Sequence, residues 1–237
     1  MLNNLSGFST AVLASNITAN RSFVAPSRMD TEWSYDQNSG RYRDSRGRFL
    51  SQQAVEALLD GRIKRLDATL RDITRRLVDG LITLDQWQGS IREAIKAAHL
   101  QAAIIGHGGR AEMGSAEYGR VGQKLRQEYA YLQKFAFDLL EQRISAPMAL
   151  ARISLYAESI RSSFWEGSLF RKQKAGFGLM RRILDPQAEH CQDCLDYAAR
   201  GLVAIGAVPM PGQRCACRVR CRCRVEFLRQ QAPVATV

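Results

Sequence analysis

Residues Ser51 to Gly80 read SQQAVEALLDGRIKRLDATLRDITRRLVDG. Apolar side chains recur at Val55, Leu58, Leu59, Ile63, Leu66, Leu70, Ile73 and Leu77, mostly three or four residues apart. That spacing follows the turn of an α-helix and lays one apolar stripe along it. Ser51 is placed to cap the start, and Asp79-Gly80 to end the run. The spacing predicts an amphipathic helix of more than 20 residues, whose stripe must be buried against other elements. Three more segments repeat the pattern. Thr83, with Gln86 three residues on as a capping box, opens a helix through Trp87, Ile91, Ile95, Ala98 and Ala102 to Gly106. A third helix carries Tyr118, Val121, Leu125, Tyr129, Leu132, Phe135, Phe137 and Leu140, and Ala146-Pro147 breaks the pattern after it. A fourth runs through Leu150, Ile153, Tyr156, Ile160, Phe164 and Leu169 and meets a stop at Lys174 to Gly178. Four long helices with short connections predict a mainly α fold with antiparallel packing over residues 51–178.

The flanks read differently. Met1 to Asn20 is rich in Asn, Ser and Thr without a sustained period, and Pro26, Asp36, Asn38, Ser39 and Gly40 are turn and loop formers. Residues 1–50 are therefore expected to be an extended N-terminal arm. Its Phe8, Phe23, Trp33 and Tyr35 are costly to leave in water, so the arm should dock on the body or on a neighbouring subunit. The stretch RYRDSRGRFLS sets Arg41, Arg43, Arg46 and Arg48 around Tyr42 and Phe49. It reads as a charged hairpin-like turn at Asp44 to Gly47. The sharper alternative is a basic aromatic patch for nucleic acid or an acidic surface.

From Leu179 a small Cys-rich α+β module, residues 179–237, is expected. LMRRIL, Leu179 to Leu184, reads as a short strand, and Asp193 to Arg200 as one or two helical turns. Arg218 to Phe227 alternates arginine with Cys or Val, a period of two that suits a strand. Such a strand places Val219, Cys221, Cys223, Val225 and Phe227 on one face and Arg218, Arg220, Arg222 and Arg224 on the other. These arginines and Arg41, Arg43, Arg46 and Arg48 are therefore expected to form two localised basic contact surfaces. All six cysteines lie here: Cys191, Cys194, Cys215, Cys217, Cys221 and Cys223. Cys191 and Cys194 form a C-x2-C pair, and a second pair about 20 residues later completes a set of four thiolates for zinc. Disulfides, or free buried thiols, remain alternatives at this stage. His190, beside Cys191, is an additional candidate ligand, although a lone histidine in a turn more often serves as a hydrogen-bonding group.

The 237 residues carry a net charge of +11, with 28 Arg against only 6 Lys. Arginine's planar fork suits phosphates, carboxylates and interfaces, so nucleic acid or an acidic protein surface is the expected partner. No apolar run approaches the ~20 residues that span a bilayer, and the first 20 residues lack the basic and apolar blocks of a secretory signal. There is no G-x-S-x-G, no H-E-x-x-H and no framed pair of carboxylates. The glycines of GHGGR, Gly106 to Arg110, do not fit a phosphate loop. His107 with Arg110 and Glu112 reads as a helix–helix connection rather than a catalytic cluster.

The order Asp185, Cys191-Gln-Asp-Cys194, a Gly- and Pro-containing loop from Gly206 to Gly212, then Cys221-Arg-Cys223-Arg-Val resembles the C-terminal module of tailed-phage head morphogenesis proteins. These are minor head proteins of the phage Mu F-like class. The motifs cover roughly 45 residues, and the layout, long helices before the module, covers about 180. The chain departs from that family in having Arg218-Val219-Arg220 before the C-R-C, where His-Pro is common, and in adding Cys215 and Cys217. The resemblance implies a zinc set of Cys191, Cys194, Cys221 and Cys223, with Cys215 and Cys217 replacing two of them or forming a separate pair. It implies a non-enzymatic minor virion protein, in the host cytoplasm during assembly. Its partners would be portal or capsid proteins in a multi-subunit assembly, with sequence-independent contact to packaged DNA and no membrane. The alternative is a free nucleic-acid-binding zinc protein.

Overall fold

The computed structural model describes residues 33–36 and 39–229. The chain is mainly helical with two small antiparallel sheets. Strands β1 (Trp33–Asp36), β2 (Arg41–Asp44) and β3 (Phe49–Leu50) form the first sheet, in the order β1-β2-β3. Helices α1 (Gln52–Val78), α2 (Leu84–His107), α3 (Ser115–Leu140) and α4 (Ala146–Lys174) follow. Then come β4 (Leu179–Ile183), α5 (Gln192–Ala199), β5 (Val203–Ala204) and β6 (Arg224–Leu228), whose strands form the second sheet in the order β5-β4-β6.

The caps sit where local chemistry places them. Ser51 accepts from the Ala54 amide, and Thr83 and Gln86 close a reciprocal capping box. Ala146-Pro147 does not break a helix but starts one. Ser145 caps α4, and Pro147 occupies its first turn, where a missing N–H is harmless.

Consecutive helices are antiparallel, as expected. Trp87 of α2 donates to Thr74 of α1, and Arg152 of α4 pairs with Asp138 of α3. The most intimate pair, however, is parallel: His99 of α2 meets Ser159 and Ser163 of α4, and His107 meets Gly167. Small residues permit this approach. A Cβ on Gly106 would collide with the Phe164 carbonyl oxygen, and one on Gly167 would lie 2.9 Å from His107 Cδ2 and 3.0 Å from the Ala103 carbonyl. The middle of α4 is consequently deeply buried, including the run Ser162, Ser163, Phe164 and Trp165. α1 lies against both α2 and α4, while α3 packs chiefly on α2. Trp87, Ile91, Ile95, Leu132, Phe135, Ile153 and Ile160 fill the centre. Ser162 and Ser159 donate to the carbonyls of Ser159 and Tyr156, and Ser163 bonds to His99.

Within the expected extended arm, Trp33–Asp36, Arg41–Asp44 and Phe49–Leu50 instead form a sheet; residues 1–32 lie outside the described part, with Phe8 and Phe23 of the expected docking set. The sheet covers the C-terminal end of α2. Tyr42 is buried and donates to the Ile105 carbonyl, and burial pushes its pKa up to about 12. Arg171 of α4 donates to the Gly106 carbonyl at 2.9 Å and lies 4.7 and 5.0 Å from the ring centres of Tyr35 and Tyr42. The hairpin turn at Asp44 to Gly47 is present, held by Gly47 N–H to the Asp44 carbonyl and by Asp44 accepting from Arg46 and Arg48.

Two measurements probe this core. Gly106→Ala or Gly167→Ala should lose about 1–3 kcal/mol through overpacking. Gly89→Ala on the exposed face of α2, where nothing lies within 4 Å, should gain about 0.5–1 kcal/mol. Urea unfolding with equal effects at all three sites would contradict the close approach. The second concerns His99, which burial and the Lys124 charge hold down to a pKa of about 3, against an ordinary 6.5. Its neutral form is intact above pH 6.5. Below that the unfolded chain takes the proton first, so stability falls by roughly 1.4 kcal/mol per pH unit toward pH 3. Glu128, 4.0 Å away and raised by burial, acts in the opposite sense above its ordinary 4.5. His99→Gln removes the first effect and keeps the second. Its unfolding free energy should therefore fall much less than the parent's between pH 6.5 and about 4, and parallel curves would refute this role.

Candidate metal centre

Three short segments bring the cysteines together. Cys191 is the N-cap of α5 and Cys194 lies in its first turn, so the C-x2-C pair straddles a helix start. The amides of Cys194 and Leu195 both donate to the Cys191 carbonyl. Asp193, between the two cysteines, accepts from the Ala216 amide at 2.8 Å and ties α5 to the Cys215–Cys217 loop. A tight 3-10 turn, Arg218–Arg220, reverses the chain, with Arg218 N–H to the Cys215 carbonyl and Arg220 N–H to the Cys217 carbonyl. The chain then returns through Cys221 and Cys223 into β6.

The period-two strand expected from Arg218 therefore starts only at Arg224. Arg218 adopts a left-handed φ of 49° in the turn, which a continuous strand cannot contain. In-and-out alternation survives from Cys221 to Val225, where Cys221, Cys223 and Val225 are buried. The arginines do not form one face. Arg222 pairs with Glu158 of α4 at 2.9 Å, and Arg224 lies 3.7 Å from Glu56 of α1. Gln52 of α1 also donates to the Val225 carbonyl at 3.0 Å. These bonds attach the cysteine module to the helical body. Arg218 and Arg220 are exposed.

The first arginine cluster is likewise partly spoken for. Arg43 pairs with Asp36 at 2.6 Å and Arg48 with Asp44 at 2.7 Å. The guanidinium carbons of Arg41 and Arg43 lie 4.3 and 3.9 Å from the Phe49 ring centre. The Arg48 hydrogen bonds hold the Asp44 carboxyl below its usual range. Arg46 points outward.

The sulfurs of Cys191, Cys194, Cys215 and Cys217 all lie within 4.8 Å of one another. So do those of Cys194, Cys221 and Cys223. Cys215 and Cys217 thus stand with the C-x2-C pair, the replacement that the sequence left open, while Cys221 and Cys223 gather on Cys194. All six are free thiols, and Cys194, Cys215, Cys221 and Cys223 are buried. The Cys194 and Cys221 sulfurs are 3.7 Å apart, too long for a bond and close to the ~3.8 Å edge of a tetrahedron with Zn–S near 2.3 Å. His190 is drawn in as well, its Nδ1 3.7 Å from the Cys223 sulfur and its Nε2 2.8 Å from the Asp185 carbonyl oxygen.

The thiols hold their protons very unequally. Hydrogen bonding from Cys223 holds the Cys221 thiol far below its ordinary value, while the same contact and burial raise Cys223. Burial and the neighbouring Cys221 charge raise Cys194 and Cys215. Burial also works to raise Cys191, but hydrogen bonds from Cys194 and Cys217 outweigh it and bring it to about 7. Several thiolates this close repel one another unless a cation lies between them. The cluster can hold a metal ion.

Arg182 is a residue that sequence reasoning missed. It is 3% exposed on β4, with Nη1 3.8 Å from the Cys221 sulfur and Nη2 donating to the Pro209 carbonyl. The available signal was its strand parity. Arg181 faces out to Glu226, which puts Arg182 on the inward face with Met180. A buried guanidinium calls for an anionic partner, and the sulfur cluster supplies it.

Comparison with protein-family models, with curated proteins and with solved structures finds no match to this chain.

Arg182→Leu should cost about 3–5 kcal/mol by leaving the sulfur cluster without its cation. Arg182→Lys should restore little of it, since one ammonium cannot reach both the sulfur and the carbonyl in the guanidinium's fork geometry. Thermal unfolding with Lys equal to Arg would argue against that geometry.

Proposed function

We propose that this chain is a minor structural virion protein of a tailed phage, associated with the portal or inner capsid and acting in head morphogenesis. The observation that carries the reading is the cysteine module itself. Its Asp, C-x-x-C, Gly- and Pro-loop and C-R-C order is that of the resembled family, and its sulfurs gather in one buried cluster against a long-helix body. Such a body suits a rigid spacer between partners. The proposed metal is zinc, because thiolates that converge at tetrahedral spacing suit it and a closed set gives it a structural role. That role is architectural and not catalytic. Four thiolates leave no position for a reacting water. Of the other histidines, His99 is enclosed by Ser159 and Ser163, and His107 is stacked on Phe170 at 6.3 Å. In the groove beside His107, about 810 Å³, Arg120 pairs with Glu117 at 2.7 Å and Lys174 with Glu112 at 3.3 Å.

The alternative, a free nucleic-acid-binding zinc protein, is favoured by one feature, the exposed turn bearing Arg218 and Arg220. Against it, Arg222 and Arg224 are engaged with the helices. In the preferred reading the exposed arginines face packaged DNA without reading its sequence, in the virion and, during assembly, in the host cytoplasm.

Co-expression with the portal protein of the same genome tests the choice. The chain should sediment with portal rings or particles, and a monomer or dimer that stays free of both would sink the virion reading. DNA affinity should fall steeply with salt, about 0.9 in log–log slope per phosphate contacted. Affinity that is flat in salt would remove DNA from the partners.

A further inference from the structure

We infer that the cysteine cluster is built for two divalent metal ions that share the Cys194 sulfur, with His190 completing the second site. The inference rests on the zinc reading above and goes beyond it in ion number and ligand set. Two overlapping groups carry it. The first, Cys191, Cys194, Cys215 and Cys217, is a complete set of four donors. The second, Cys194, Cys221 and Cys223, reuses Cys194 and is one donor short. One ion in the first group leaves Cys221 and Cys223, each 1% exposed, as a buried sulfur pair outside it. A second ion between them and Cys194 turns that pair into ligands.

The candidate fourth donor, His190, stands beside Cys223 but outside the group whose ligand atoms all lie within 4.8 Å of one another. The Nε2 of His190 sits 2.8 Å from a backbone carbonyl, which can only accept, so Nε2 carries the proton. In the neutral ring the lone pair is then on Nδ1, which lies 3.7 Å from the Cys223 sulfur. A ring whose far nitrogen donates to a carbonyl is the usual second-shell arrangement of a metal-bound histidine. Charge supports two ions as well. Six thiolates carry six negative charges, two divalent ions cancel four, and the Arg182 guanidinium beside Cys221 offsets a fifth. A single ion would leave a larger buried negative charge if all six sulfurs ionised.

Native mass spectrometry of the full chain, purified with zinc present and checked by elemental analysis, reads the ion count directly. Two zinc ions per chain are expected. One ion per chain, lost in Cys191→Ser and kept in Cys223→Ser, would overturn the shared centre while leaving the single-zinc reading standing. No zinc at all would overturn both. Cys217→Ser and Cys223→Ser should each keep one ion. His190→Ala should weaken the second ion at least tenfold in competition with a chelator and leave the first unchanged. Unchanged affinity for both ions would remove His190 from the ligand set. The wild-type count needs no variant to fold, and titration of the full chain with Co(II) gives a second reading of it. Absorption of tetrahedral thiolate-bound cobalt should rise through two equivalents, and saturation at one would overturn the proposal.

Discussion

The close approach of α2 and α4 is the constraint from which the rest follows. Gly106 and Gly167 remove the side chains that would hold these backbones apart, and Ala103 lies at the same contact. Once the two helices meet, α1 settles against both. The polar groups that α4 carries inward then need partners in the core. Ser159 and Ser163 find them on His99, and Ser162 on the Ser159 carbonyl. The C-terminal end of α2 becomes the floor for the first sheet, joined through Tyr42 and Arg171.

The same arrangement sets where the cysteine module can attach. Glu158 of α4 and Glu56 of α1 face the returning chain and engage Arg222 and Arg224. Cys221 and Cys223 thus lie between a strand bonded to the body and the start of α5. Arg182 enters from β4 on the inward side and meets the sulfurs with its charge. The module is linked to the body by ion pairs and a core that continues through Met180, Val208, Met210 and Val225.

Much of the helical body was legible. Ser51, Thr83 and Gln86 act within one turn of themselves, and their hydrogen bonds appear where they were read. The boundary at Ala146-Pro147 stands where it was read, but Pro147 belongs to the first turn of α4 under the Ser145 cap and does not end α3. The alternation after Arg218 misled. Period two was real from Cys221 onward, but a turn with one left-handed residue sits in front of it. The arginine clusters looked like open basic surfaces because their acidic partners, Glu158 and Glu56, are distant in sequence, while Asp36 and Asp44 become partners only once the sheet forms.

By itself the sequence determined four helices, two of them with their N-caps, and one cysteine-rich module, since period, capping and C-x2-C spacing depend on residues a few positions apart. Only the tertiary structure decided that α2 and α4 lie parallel, that Arg182 points at Cys221, and that Cys215 and Cys217 join the Cys191–Cys194 pair. Each of these joins residues that only folding brings together. Local period and spacing carry no information about which of several distant sulfurs, charges or glycines will meet.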